Sequence, residues 1–349
     1  MTLEEAVKNI TELDEGAMKE CQKRWDSIAK PLHSLGKLED FLVKIAGMTG
    51  TSHIDLSKKA LVEMCADNGV VEEGVTQTGQ EITALVTENF SKMQSTASVM
   101  CHKLGADLIP VDIGVAVDTS AWNRKVAYGT KNMTKGPAMT REEAVKALEV
   151  GINLVGELKE KGYRILATGE MGIGNTTTSS AMAAVFLDVP AEQVTGKGAG
   201  LSSEGLLRKI DAIKRAIERN RPDKNDAVDV LSKVGGLDLA GITGMFLGGA
   251  FYKIPIVIDG FISAVAALTA KRICKESVLY MIPSHISKEP AGSLILDELG
   301  LEAPLHCDMC LGEGTGAAVL FPILDLADTV YNTMSTFQDI KMEEYKPLS

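Results

Sequence analysis

Dense runs of lysine and arginine are absent from this chain, and its net charge is -11 with 36 basic against 47 acidic residues. A nucleic-acid surface needs a basic face, so that class of partner is excluded as an expectation. Aromatic residues make up only 5% of the 349 positions. There is no uninterrupted apolar run long enough to span a bilayer. The most apolar region, Leu239 to Ala270, is broken by Lys253, Pro255 and Asp259 and by several glycines, so it reads as buried helix–strand–helix. The six cysteines are scattered, and a chain of this size needs no disulfide staples, so a reducing cytoplasm is expected. Met1 to Glu5 has neither the basic segment nor the apolar core of a secretion signal. None of the five histidines falls in an HxxxH or HExxH pattern, and no serine nucleophile elbow occurs.

What is present is alternation. Residues 1–48 have helical spacing, with Leu3, Val7, Ile10 and Leu13 on one face and Leu38, Phe41, Leu42 and Ile45 on another. A Pro/Gly-marked turn at 30–36 separates them. Strands are predicted at 59–66, 108–115, 163–167, 254–258 and 278–282. Pro110 assigns its part of the second strand to the start or to an edge. Helices are predicted at 81–104, 140–161, 175–187, 203–219, 237–251 and 261–272, with Thr140-Arg141-Glu142-Glu143 a capping box. Residues 119–139 read as irregular. The tail reads as a helix from about 325 to 331, then polar and mobile. Strand and helix alternate at least five times, which implies an α/β fold on a largely parallel sheet with right-handed crossovers.

Two glycine loops carry the chemistry. The first, Gly169-Glu170-Met171-Gly172-Ile173-Gly174-Asn175-Thr176-Thr177-Thr178, leads from a strand into a helix. Backbone N–H groups at such a helix start suit an anion. The spacing approaches a P-loop, but Asn175 stands where the lysine would be, so a monophosphate is expected rather than a triphosphate. The second, Leu311-Gly312-Glu313-Gly314-Thr315-Gly316-Ala317, again opens a helix and again holds a glutamate. A desolvated glutamate becomes a usable general base; a solvent-facing loop acid is the alternative. Two carboxylates could serve a glycosyl-transfer site, whose transition state is cationic and needs no metal. A third glycine loop, Gly196 to Gly200, precedes Lys209, and a lysine at such a place is ordinarily solvated. Asp67-Asn68 ends one strand, where ligands bind in open sheets, or forms an ordinary turn. Cys307-Asp308-Met309-Cys310 has no second pair, which disfavours a metal site.

These loops resemble signature segments of the nicotinate-nucleotide–dimethylbenzimidazole phosphoribosyltransferases of cobalamin biosynthesis. Residues 31–36, 66–70, 198–209, 238–244, 259–261 and 284–290 agree in the same order, and the match covers about 25–325. The resemblance implies a Rossmann-like α/β domain over 49–325, a small helical domain from 1–48 and about 326–349, and a homodimer. It implies phosphoribosyl transfer from nicotinate mononucleotide to a benzimidazole with inversion, no cofactor, and no metal. Carried over, Glu313 is the general base and Glu170 a second acid beside the ribose. Gly172, Gly174, Asn175, Thr176, Asp259, Ser287, Gly314, Thr315 and Gly316 line the nucleotide site. Lys209 becomes its charge partner, and Met171, Leu311 and Gln80 border the base pocket. His33, Asn68 and the proline-free loop 76–80 depart from the family pattern on the acceptor side. Adenine, another benzimidazole or a phenolic stay open as acceptor, and a non-catalytic nucleotide sensor is the alternative class.

Overall fold

The computed structural model describes residues 1–345. Six strands form one sheet: β1 Lys59–Ala66, β2 Asp107–Gly114, β3 Trp122–Asn123, β4 Ile165–Met171, β5 Ile256–Ile258 and β6 Met281–Pro283. Their order is β3-β2-β1-β4-β5-β6, and every neighbouring pair is parallel. Helical crossovers between β1 and β2, β3 and β4, β4 and β5, and β5 and β6 return the chain in the same strand direction, while a loop without a helix joins β2 to β3. All eight residues of β1 are buried, because helices cover both faces. Val62 and Met64 point into a core shared with helices Arg141–Glu160 and Leu237–Tyr252. Leu61 and Cys65 point the other way, towards helices Lys37–Thr49 and Thr315–Thr333. The strand order reverses between β1 and β4, which opens a crevice at their C-terminal ends.

Small residues set the closest packing. A Cβ at Gly244 would strike the carbonyl of Leu148, so helix Leu237–Tyr252 lies directly against helix Arg141–Glu160. Helix Glu15–Ser27 packs on Lys37–Thr49, which in turn meets Thr315–Thr333. The first helix, Leu3–Lys8, lies instead on Arg141–Glu160 and Leu237–Tyr252.

Several sequence expectations shift. The single helix expected over 81–104 is two, Glu81–Ser91 and Thr96–Leu104. Met93 takes a left-handed φ of 54°, and Ser95 starts the second helix with its own capping box. The strand expected at 278–282 is mostly a 3-10 turn, Lys275–Tyr280, followed by the short β6. Pro110 lies within β2, but β3 pairs only from Val111 onward, so the missing N–H faces an open edge. The tail packs back onto the protein after 331 within the described residues, and residues 346–349, also expected to be mobile, lie outside them. The helix runs unbroken from Thr315 to Thr333, Phe337 is buried, and its N–H donates to the Ser27 carbonyl. Among the described residues, no helix is long and apolar enough to cross a membrane.

Candidate active site

Strand β4 extends four residues past its expected end, so Gly169 and Glu170 are strand rather than loop residues. Pairing with β1 explains it: Glu63 stands opposite Gly169, and Met64 opposite Glu170. The turn is therefore only Gly172 to Gly174, too short to be a P-loop. A Cβ at Gly172 would meet the Ala66 carbonyl and the Asp238 carboxylate, and Gly174 has φ 96°. Both positions need the missing side chain. Helix Asn175–Leu187 starts immediately afterwards.

Glu170 is buried. Its carboxylate accepts from the Asn175 side-chain amide, which also donates to Asp238 at 3.1 Å. Burial pushes the Glu170 carboxyl well above the usual carboxylate range; the Asp238 charge adds to this, and the Asn175 hydrogen bond opposes it. Burial likewise raises Asp238 to about 6. Beneath them, Glu63 is fully buried, and neither carboxylate oxygen has a hydrogen-bond partner among the described residues. Burial raises it well above the ordinary range, with the charges of Glu170, Glu313 and Asp259 adding to this.

The second loop meets the first. Gly312, Glu313 and Gly314 have φ values of 88°, 55° and 63°. Three consecutive left-handed residues make a tight turn, and the non-glycine at its centre is strained. A Cβ at Gly312 would collide with the Glu170 carboxylate, so the bare backbone is what lets this loop touch the end of β4. Glu313 is half-buried, and its Oε2 has no partner among the described residues. Burial raises its pKa, the Ala97 backbone N–H opposes this, and the Asp259 charge adds to it. Asp259, at the end of β5, accepts from the backbone N–H groups of Gly316 at 2.7 Å and Ala317 at 3.1 Å. It thereby caps helix Thr315–Thr333, whose own N-cap, Gly314, has no side chain to do so.

Between the loops lies a cavity of about 380 Å³ at the C-terminal ends of the strands. One end is polar. Thr176 sits there with Lys197, Gly198 and Ser287. Lys209 is fully buried, against the expectation of a solvated lysine. Its ammonium donates to Thr176 Oγ1 at 2.8 Å and to the Gly196 carbonyl at 3.1 Å. Burial lowers it to about 8, with Glu289 opposing. The other end is apolar, formed by Ile82, Val86, Met171, Ile173 and Leu311.

Of the residues expected from sequence, Glu170, Met171, Gly172, Gly174, Asn175, Thr176, Asp259, Ser287, Leu311, Glu313 and Thr315 line this cavity. Lys209 stands behind Thr176, while Gly314 and Gly316 back onto Leu61 and His285. Gln80 does not reach the lining; it precedes helix Glu81–Ser91, and Gln77 and Thr78 line the wall instead. Asp67 and Asn68 are buried and bound to the Ala116 N–H and to Asp238, outside the cavity. Sequence reasoning missed His285, Glu289 and Lys197 as lining residues. The Pro283-Ser284-His285 strand end was the signal available. Cys307 and Cys310 are exposed thiols, and the described residues hold no metal-binding cluster of three or more His, Cys, Asp or Glu.

Comparison with known proteins bears on this cavity. A family model described as phosphoribosyltransferase matches residues 10–342. The nicotinate-nucleotide–dimethylbenzimidazole phosphoribosyltransferase of Ruminiclostridium cellulolyticum is 50% identical, over 100% of both chains. That of Acetivibrio thermocellus is 51% identical over 98% of this chain and 99% of its own. Among solved structures, CobT from Thermus thermophilus superposes with a TM-score of 0.88 at 35% identity, covering 95% of this chain and 100% of that one.

Proposed function

This chain belongs to the nicotinate-nucleotide–dimethylbenzimidazole phosphoribosyltransferase family, and on that premise we propose how its own residues carry out the transfer. The enzyme moves phosphoribose from nicotinate mononucleotide to 5,6-dimethylbenzimidazole and releases nicotinate. The observation that carries the residue roles is the meeting of two glycine-borne glutamates between a polar and an apolar end of one cavity.

The phosphate occupies the polar end, held by the Gly172–Thr176 turn and by Lys209, which presents its charge through Thr176. The azole occupies the apolar end against Met171, Ile173 and Leu311. The bond from C1′ to the pyridinium nitrogen breaks, and its electron pair leaves with the ring. Nicotinate's ring thus departs neutral and needs no acid. The unprotonated azole nitrogen attacks from the opposite face with its lone pair, which gives the α-nucleotide. The proton on the other azole nitrogen passes to the Glu313 carboxylate. Burial that raises Glu313 makes it a stronger base than an exposed glutamate. Burial raises the pKa of the Glu170 carboxyl. A pyridinium nucleotide beside it favours the ionised form, which then stabilises positive charge developing on the ribose.

Incubation with nicotinate mononucleotide and dimethylbenzimidazole, followed by mass spectrometry, is the test. Release of nicotinate with formation of an α-nucleotide is expected. Absence of nicotinate would sink the reading, and free ribose phosphate would make the enzyme a hydrolase. An acceptor panel of adenine, other benzimidazoles and phenols defines the base preference. The enzyme acts as a cytoplasmic homodimer in this reading. Exposed Leu85, Met93 and Val99 around helices Glu81–Ser91 and Thr96–Leu104 supply apolar surface for a second copy. A monomeric mass by light scattering would refute the dimer.

A further inference from the structure

His285 is used by none of the steps above, yet it lines the cavity. It follows β6, and its ring lies where a side chain on Gly316 would stand. Its hydrogen bonding fixes the ring's tautomer. Ser284 Oγ donates to the Asp259 carbonyl at 3.0 Å. A hydroxyl has one proton to give, so the 3.1 Å contact between Ser284 Oγ and His285 Nδ1 is an Nδ1–H donating to that oxygen. In the neutral ring Nε2 then carries the lone pair. Nε2 lies 3.6 Å from the point a Cβ on Gly260 would occupy, and Ser287 Cβ is 3.8 Å from the same point. Gly260 and Ser287 both line the cavity. Nε2 has no partner among the described residues.

The wall that holds His285 joins the two ends of the reaction path. Glu289 packs against Gly196, whose carbonyl takes the Lys209 ammonium. Ser287, Gly260 and His285 follow, and the ring then touches Gly316, three residues from Glu313. A sugar with its phosphate at Lys209 and its C1′ at Glu313 has to run along this wall. The chemistry of the ligand then selects the contact. Nicotinate's carboxylate only accepts, and a phosphate dianion only accepts. The azole N–H is assigned to Glu313. The donors left on the nucleotide are its ribose hydroxyls.

We propose that His285 Nε2 accepts a hydrogen bond from a ribose hydroxyl of the bound nucleotide, which makes it the residue that distinguishes ribonucleotide from deoxynucleotide. This rests on the reading of the cavity as a nicotinate-nucleotide site. The experiment crosses wild type, His285→Ala and His285→Gln with nicotinate mononucleotide and its 2′-deoxy and 3′-deoxy forms, at saturating dimethylbenzimidazole. His285→Ala should lower kcat/KM for the ribonucleotide by about tenfold. With one of the two deoxynucleotides the same substitution should change it by less than about twofold, since the bond is already missing. His285→Gln, which offers an amide oxygen near the Nε2 position, should recover part of the loss. Equal losses with all three nucleotides would make His285 a packing residue and overturn the proposal, as would no loss with any. Activity of the variant on a deoxynucleotide shows that it folds. Failure of the wild type to release nicotinate would instead overturn the cavity's assignment, so the two failures are distinguishable.

Discussion

Glu313 concentrates what single residues do here. It occupies a left-handed conformation that a glutamate ordinarily avoids, between two glycines that share it. The turn holds the carboxylate over the cavity, against the Ala97 N–H, with one oxygen free of partners among the described residues. Glu313→Gln keeps the shape and removes the carboxylate that we propose takes the azole proton. Turnover should fall by about 100-fold or more, the usual worth of a general base, with nucleotide binding retained. Steady-state rates with an azole acceptor and calorimetric titration of the nucleotide check this; a near-wild-type rate would refute the role. The glutamates were legible in the sequence because each is flanked by glycines. Burial of Lys209 was not, since helical position alone does not say which neighbours close over a side chain. The setting of His285 was hidden for a similar reason, because its hydrogen bonding depends on Ser284 and Asp259, brought together only by β5 and β6.

Among the elements, helix Thr315–Thr333 depends on a residue far away in sequence. Its first backbone N–H groups are taken by Asp259 from the end of β5. A cap of this kind is worth about 1–2 kcal/mol. Asp259→Ala should lower unfolding stability by that amount in urea titration and also reduce kcat/KM, because Glu313 precedes the same helix start. Unchanged stability would remove Asp259 from the capping role. The sequence shows a glycine loop entering a helix and does not say what caps it. Only the parallel pairing of β4, β5 and β6 puts a carboxylate at that point.

At the scale of the molecule, the site gathers acids that folding keeps from water. Glu63, Glu170, Asp238 and Asp259 are all raised by burial. A raised carboxyl binds more protons folded than unfolded between its two pKa values, so stability falls as pH climbs through that window. For Asp238 the window runs from 3.8 to about 6; for Glu63 and Glu170 it extends upward from 4.5. The ligand-free protein should therefore melt at a higher temperature at pH 6 than at pH 8. Glu63→Met should raise stability at pH 8 by about 1–3 kcal/mol, the cost of an unpaired buried polar group, and flatten the pH dependence. Thermal melts across this range check both, and a melting temperature that falls from pH 8 to pH 6 would refute the linkage.

By itself the sequence determined the alternation of strand and helix, the capping box at Thr140, and the two Gly–Glu segments with the family they resemble. Those signals are local: periodicity, turn chemistry and short motifs need no knowledge of distant neighbours. The tertiary structure decided where β4 ends, that Gln80 stands outside the cavity while Gln77 lines it, that the tail folds back over Phe337, and that Glu170 fits the gap left by Gly312. Each of these depends on register or on a close approach between segments far apart in the chain, and burial, which raises the pKa of Glu170 and lowers that of Lys209, exists only once those segments meet.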